Sequence, residues 1–373
     1  MRKVLFITAF PPSENAAAEK NTMLMLKDLG GRYSVDLIYF RDIEMKEYIP
    51  PLNTINIKKV VMNSWWFRRV NALMHPYVHP IFTVRYNGKI RRLLQELIDK
   101  ESYAAIIFDH SQTMMYALKL KFSGPKVLIC HDVELQRFKR TSNKMMTWLC
   151  RVSEQRMLTS DNANVFAFCQ KDIDLINDYY NIVAHLNLDY IDERITSYIP
   201  HQITDDYVLF GNWKRADNYE GALWLLNGIG EYLSSPVTIK VIGKLFPIEK
   251  VASHPNVIID NLGFVDNPYP IIAESKAMLC PLFSGAGIKV KVIESLASGT
   301  PAIGTDIAFE GFDEKYSPFM QTCEDYLSFA KAMGNVKYNL QERLQFKEFF
   351  IHDYQSMTIP KWLDTYFSNK EQA

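Results

Sequence analysis

Short, mostly uncharged apolar runs recur along this chain with helical patterns between them. They are Val4–Ala9, Val35–Phe40, Ala105–Phe108, Lys126–Cys130 and Asn164–Phe168, then Tyr207–Phe210, Val237–Ile242, Val257–Asp260, Ala277–Leu282 and Pro301–Gly304. Few of these runs alternate apolar with polar residues, so they suit strands buried on both faces. That is the condition of a parallel sheet wrapped by helices. The pattern occurs twice, and 373 residues exceed what one core of about 150 residues accounts for. An α/β chain with two Rossmann-like domains is expected, 1–195 and 196–350, the link lying around Asp192 to Ile203 and ligands in a central cleft between the parallel sheets. In such sheets ligands bind beyond the carboxyl ends of the strands. Residues 351–373 read as a terminal helix, with Trp362, Leu363, Tyr366 and Phe367 at helical spacing.

Several classes fall away. Hydrophobic residues make up 48% and charged residues 23%, a globular balance rather than a disordered or fibrous one. The five cysteines are odd in number, scattered and without a CxxC pair, so neither a disulfide framework nor a cysteine zinc site is suggested, and a reducing, cytoplasmic setting fits. Met1-Arg2-Lys3 and Ala16-Ala17-Ala18 have the outline of a signal peptide. The apolar run between them ends at Pro11-Pro12, and a second run follows at strand–helix–strand spacing, so the first is read as a strand. No stretch of about 18 uncharged apolar residues occurs, so no bilayer-spanning segment is expected.

The net charge of zero hides an asymmetry. Residues 1–185 hold 26 Lys+Arg against 18 Asp+Glu, and the remainder 16 against 24. The first half should be drawn to anionic surfaces. Tyr48 to Gln95 contains no acidic residue, while Lys58, Lys59, Arg68, Arg69, Arg85, Lys89, Arg91 and Arg92 are cationic. Within it, Ser64-Trp65-Trp66-Phe67-Arg68-Arg69 sets rings beside arginines, which suits the headgroup layer of an anionic membrane at the inner face of the plasma membrane. Ile90, Leu93, Leu94 and Leu97 fall on one helical face. Packing of these helices on the domain's own core is the competing account. A nucleic-acid surface would also be basic, but no nucleic-acid motif is present, and no such partner is expected.

The chemistry concentrates in Pro281-Leu282-Phe283-Ser284-Gly285-Ala286-Gly287-Ile288-Lys289-Val290-Lys291-Val292-Ile293-Glu294, followed by a small-residue helix that ends at Gly299-Thr300-Pro301. A strand ends, a glycine loop turns and a helix begins. Gly285 and Gly287 allow backbone amides close to a ligand, the helix start offers N–H groups, and Lys289 and Lys291 add cations, a combination suited to a diphosphate. Glu294 follows where a carboxylate can accept hydrogen bonds from ribose hydroxyls. A tight turn with solvated lysines is the bland alternative. Asp172-Ile173-Asp174 opens a helix and reads as a helix-start pair. His75 and His79 lack a carboxylate or cysteine nearby, and no metal is expected. GxGxxG, P-loop, GxSxG and HExxH patterns are absent.

The 281–301 stretch resembles the donor-site motif of the retaining nucleotide-sugar glycosyltransferases of family four, the glycosyl transferases group 1, which share the GT-B fold. The resemblance extends to Leu209-Phe210-Gly211-Asn212-Trp213, to Ile242-Gly243-Lys244 and to Leu262-Gly263-Phe264-Val265, and covers roughly residues 200–315. The first half matches in outline only, through its opening strand and proline loop, His110, and His131-Asp132. The resemblance implies two Rossmann-like domains with a C-terminal helix crossing back to the first. It implies a retaining, metal-independent transfer of a hexose from a nucleotide-diphosphate sugar, UDP preferred, to a glycan or lipid-linked acceptor in surface polysaccharide synthesis. Donor binding would fall to Gly211, Asn212, Gly243, Phe264, Gly285, Ala286, Gly287, Ile288, Lys289, Lys291 and Glu294. Lys289 and Lys291 would stabilise the departing diphosphate, with His110 facing the donor sugar. No cofactor is implied beyond the donor substrate. Many relatives carry a glutamate where this chain has Ala286. A catalytically inactive partner subunit that keeps the fold is therefore the alternative, and an epimerase ranks last for want of an acid/base set.

Overall fold

The computed structural model describes residues 1–14, 17–188, 190–285, 287–356 and 358–372; Ala286 lies outside them. The chain divides into two compact units, residues 1–190 with 357–373, and residues 191–356.

The first unit is built on a parallel sheet of seven strands, β1 (Lys3–Thr8), β2 (Ser34–Arg41), β3 (Ile55–Met62), β4 (Tyr103–Asp109), β5 (Lys126–Cys130), β6 (Ala163–Ala167) and β7 (His185–Leu186). Their spatial order is β3-β2-β1-β4-β5-β6-β7. The central strands are buried on both faces, as their uninterrupted apolar runs require: Leu5, Ile7, Ile38, Phe40, Ile106, Phe108 and Leu128 belong to one core, and Phe6, Leu37, Ile107 and Val127, which alternate with them, are buried on the opposite face. The helix Ile359–Gln372 packs on this unit. Asp364 accepts from Arg32 Nη1 at 2.7 Å and from the Tyr33 hydroxyl at 2.5 Å, Ile359 N–H donates to Asn187 Oδ1 at 3.0 Å, and Trp362 meets the Phe166 ring edge-on.

The second unit carries β8 (Tyr207–Phe210), β9 (Val237–Ile242), β10 (Val257–Gly263), β11 (Ala277–Cys280), β12 (Ala302–Gly304) and β13 (Met320–Thr322), all pairings parallel, in the order β10-β9-β8-β11-β12-β13. Its core gathers Leu209, Trp213, Leu225, Val241, Leu279 and Phe329. In each unit the strand order reverses once, between β1 and β4 and between β8 and β11. Outside the carboxyl ends of those pairs a parallel sheet leaves a crevice.

The acid-free segment differs from its sequence expectation in two places. Ile55–Met62, which is not among the expected strands, is an edge strand. In the helix Gly88–Lys100, Ile90 and Leu94 are buried in the core with Leu97 packed against it, so that apolar stripe is internal.

Candidate functional site

At the switch point of the second unit, three strand ends lie together. Gly211, directly after β8, donates to the Ile242 carbonyl at 3.2 Å, and Gly243, directly after β9, donates to Gly263 at the end of β10 at 2.7 Å. Gly243 has φ +133°, and a Cβ there would lie 2.0 Å from the Gly211 carbonyl oxygen, so only glycine fits. Trp213 is buried beneath the turn and donates from Nε1 to the Ile242 carbonyl at 3.1 Å. Phe264 is 62% exposed, with Lys244 Nζ 4.0 Å from its ring centre.

The glycine loop after β11 meets the same corner. Gly285 and Gly287 adopt φ +125° and +65°, conformations that L side chains rarely take. The helix Val290–Ala297 then begins at Lys289 with no side-chain cap, so its first N–H groups point out of the helix toward the loop. Lys291 Nζ donates to Asn218 Oδ1 at 2.8 Å, and a Cβ on Gly211 would stand 3.2 Å from that ammonium. Asn218 in turn donates to the Asn212 carbonyl at 2.9 Å. Gly211, Asn212 and Lys291 are thus one cluster. Burial lowers the Lys291 pKa, against the pull of the Cys280 and Asp217 side chains; a cation that has shed water is paired best by an incoming anion. Lys289 turns back on its own loop, donating to the Gly287 carbonyl at 2.5 Å, with Glu310 at 4.0 Å.

Glu294 is buried and accepts from the Tyr269 hydroxyl at 2.9 Å. That hydroxyl also lies 3.2 Å from Asp192 Oδ2, and Asp192 is paired with Arg194 at 2.7 Å. Burial together with the Glu294 and Asp192 charges raises the Tyr269 pKa, so it remains a donor. Tyr269 and Asp192 carry no local sequence signal, because the fold alone brings them to Glu294.

At the switch point of the first unit stands a fully buried carboxylate. Asp109 ends β4 and accepts from the Thr8 and Thr22 hydroxyls, each at 2.8 Å, and pairs with His131 Nε2 at 2.7 Å. Burial raises its pKa, but the facing histidines and these hydrogen bonds outweigh that and leave it lowered and ionised. His110 follows with φ 70° and ψ 148°, a region nearly exclusive to glycine. Its ring stacks on His131 at 3.8 Å and 13° and meets Phe10 edge-to-face, the ring centres 5.1 Å apart. Burial pushes the His110 pKa down to about 3, and its Nε2 has no hydrogen-bond partner among the described residues. A neutral imidazole with a spare ring nitrogen can donate or accept a hydrogen bond. Asp109, His110 and His131 offer three ligand atoms within 4.8 Å of one another. The two rings are nearly parallel, however, so their in-plane lone pairs do not converge on one point, and Asp109 Oδ1 is already engaged with His131. The chemistry this favours is hydrogen bonding.

His75 and His79 go separate ways. His75 Nδ1 is 3.0 Å from the Asn71 carbonyl, while buried His79, its pKa lowered to about 4 by burial, caps the helix Pro80–Thr83. Asp172 lies in the first turn of the helix Gln170–Tyr180, and Asp174 accepts from Gln170 at 2.8 Å.

Two parallel-sheet units whose switch points carry a histidine–aspartate pair and a glycine–lysine loop have the fold of the GT-B glycosyltransferases. Residues 205–337, the heart of the second unit, match the family described as glycosyl transferases group 1. Among solved structures, HepE from Anabaena in complex with UDP is 12% identical, with all of both chains covered and a TM-score of 0.65. Sucrose-phosphate synthase from Thermosynechococcus elongatus is 10% identical over 100% of this chain and 98% of its own, TM-score 0.64. WaaG, a glycosyltransferase involved in lipopolysaccharide biosynthesis, is 12% identical over 97% of this chain and 99% of its own, TM-score 0.63. No curated protein sequence matches the chain at a significant level. Among the described residues no helix is long and apolar enough to cross a membrane.

Proposed function

We propose that this chain is a retaining glycosyltransferase that moves a hexose from a nucleotide-diphosphate sugar, a UDP-sugar by preference, to a glycan or lipid-linked acceptor in surface polysaccharide synthesis. The observation that carries it is the meeting of Lys291 with Gly211 and Asn212 beside the glycine loop. In this reading the loop amides and the Lys289 and Lys291 ammonium groups take the negative charge that builds on the diphosphate as the anomeric bond breaks, without a metal. Glu294, steadied by Tyr269, accepts from the ribose hydroxyls. Gly243 and Phe264 border the nucleobase, and His110 faces the donor sugar. The group 1 family match over 205–337 and a fold shared with a UDP-bound HepE support the donor class. The basic first unit holds the acceptor at the inner face of the membrane, to which the protein binds peripherally from the cytoplasm.

Calorimetric titration with UDP, GDP, ADP and TDP, with Lys291→Ala alongside, tests this reading. Selective binding of one nucleotide that the variant loses supports the donor site, and absence of binding to all four rejects it. Release of nucleotide from the matching nucleotide sugar then separates an enzyme from an inactive partner subunit.

A further inference from the structure

Two helices of the first unit present apolar rows that are exposed among the described residues. Trp65–Met74 is capped by Ser64 and held by Asn71, which donates to the Thr83 carbonyl at 3.3 Å, so its inner face is fixed. Its outer face carries Trp66, Val70, Leu73 and Met74, continued by Tyr77; Leu73 is 80% and Tyr77 85% exposed. The helix Lys144–Leu158 buries Cys150, Ser153 and Met157 and turns Met145, Trp148 and Val152 outward at i, i+3 and i+7, with Trp148 62% exposed. In the segment that follows the first helix, the His79 N–H donates at 2.8 Å to Ser153 Oγ, on the buried side of the second. Tyr77 and Val152 therefore each lie within two residues of that contact. Exposed apolar rows grouped in this way mark an interaction face.

Charge identifies the occupant. Arg69, Lys139, Arg140, Lys144, Arg151 and Arg156 are exposed on or beside these helices. Residues 64–82 and 135–158 contain a single acidic side chain, Glu154, and it is buried. Arg69 also lies 4.7 Å over the Trp65 ring, which stacks on Trp66. Tryptophans, a tyrosine and methionines interleaved with cations, with no exposed anion within these two segments, suit the boundary of an anionic bilayer, where rings and thioethers enter the headgroup layer and each cation brings about a fivefold gain in partition.

We propose that this two-helix face, Trp65–Tyr77 together with Met145–Val152, docks flat on an anionic lipid bilayer. It rests on the peripheral-membrane part of the function proposed above and names the surface responsible. The apolar stripe of Gly88–Lys100 takes no part, since it is internal.

Sedimentation of the full chain with phosphatidylcholine vesicles, with and without phosphatidylglycerol, tests the assignment. Binding to the anionic vesicles alone, reversed by high salt, is expected, with a blue shift of tryptophan emission. The double variant Trp66→Ser/Trp148→Ser should bind about a hundredfold more weakly, taking about tenfold for each ring withdrawn from the interface. Lys144→Glu/Arg151→Glu should lose the preference for anionic lipid. Circular dichroism and nucleotide titration of the same preparations check that the variants fold. Equal binding to both vesicle types, undiminished binding of the variants, or binding to a homopolymeric RNA in place of vesicles would overturn the proposal. Loss of vesicle binding with nucleotide binding intact removes this surface alone, whereas intact vesicle binding without nucleotide binding leaves it standing and removes the donor site.

Discussion

Tyr269→Phe isolates one hydroxyl at the centre of a buried charge network. The ring keeps its packing, so no cavity opens, and the group removed is the donor that lies 2.9 Å from Glu294 Oε1 and 3.2 Å from Asp192 Oδ2. A hydrogen bond to an ionised partner contributes about 1.5–3 kcal/mol, and a buried acceptor left without it carries its desolvation cost. Asp192 retains Arg194 at 2.7 Å, so the cost falls mainly on Glu294, and about 2 kcal/mol is expected. For a unit of this size that corresponds to a melting temperature lower by roughly 4–8 °C. Because its pKa is raised in the folded chain, the hydroxyl's stabilising effect is complete below the unfolded value of about 10 and is lost as pH climbs past it. Thermal unfolding at neutral pH, with UDP titration of the same variant, measures both consequences. Under the proposed role of Glu294, nucleotide affinity should fall as well, because the carboxylate loses a donor that orients it. An unchanged melting temperature would show that the network contributes nothing. Unchanged UDP affinity alongside lowered stability would show that Tyr269 holds the fold but does not position Glu294.

Other perturbations probe the remaining pieces. Gly243→Ala forces a Cβ to 2.0 Å from the Gly211 carbonyl at φ +133° and should cost several kcal/mol, on the order of 3 or more, in the second unit; differential scanning calorimetry that finds a native-like transition contradicts the close approach. Asp109→Ala removes the acceptor of Thr8, Thr22 and His131 and should destabilise the first unit by about 3–5 kcal/mol. UDP affinity in the surviving folded fraction should be unaltered, and a parallel loss would place Asp109 among the donor-binding groups. Burial, only partly offset by hydrogen bonds from Tyr180, Leu135 and Glu134, pushes the Glu154 carboxyl up to about 7. The folded chain then keeps a proton that the unfolded chain releases above about 4.5, so this stabilising effect is complete in acid and disappears as pH rises through about 7. Glu154→Gln should therefore gain on the wild type by up to about 3 kcal/mol between those limits; a stability difference that does not vary with pH refutes the shift.

Much of the architecture was legible because parallel strands buried on both faces write themselves as unbroken apolar runs. Ile55–Met62 escaped for the opposite reason. It lies at the sheet edge, with Asn56, Ile57, Lys58 and Lys59 in succession exposed, and Lys58 reaches across to buried Asp36 at 3.5 Å. Such lysines protect an edge from pairing with another chain, and in the sequence they resemble an open cationic surface. β7 and β13, two and three residues long, are too short to show a pattern. The donor loop was readable because its glycines and lysines are neighbours in sequence. The network around Glu294 was not, since Tyr269 stands 25 residues from it and 77 from Asp192. Asp109 had left a signal that went unused, a charge closing the otherwise apolar strand YAAIIFD, where a buried carboxylate needs partners.

The charge asymmetry also resolves into separate physical parts. Some cations of the first unit are structural: Lys3 and Lys58 face Asp36, and Arg68 and Arg85 converge on Asp42. The carboxylates, however, go inward far more often. Asp36, Asp109, Glu134, Glu154 and Asp172 are all buried, against only Arg85 and Lys126 among the cations of residues 1–185. Glu134 as well as Glu154 is held near 7 by burial and neighbouring carboxylates, so at neutral pH each carries only part of its formal charge. The outward field of residues 1–185 is accordingly more positive than their sequence balance of 26 against 18. Protonation of those two groups as pH falls toward 6 should strengthen it further, and attraction to an anionic surface should increase in step.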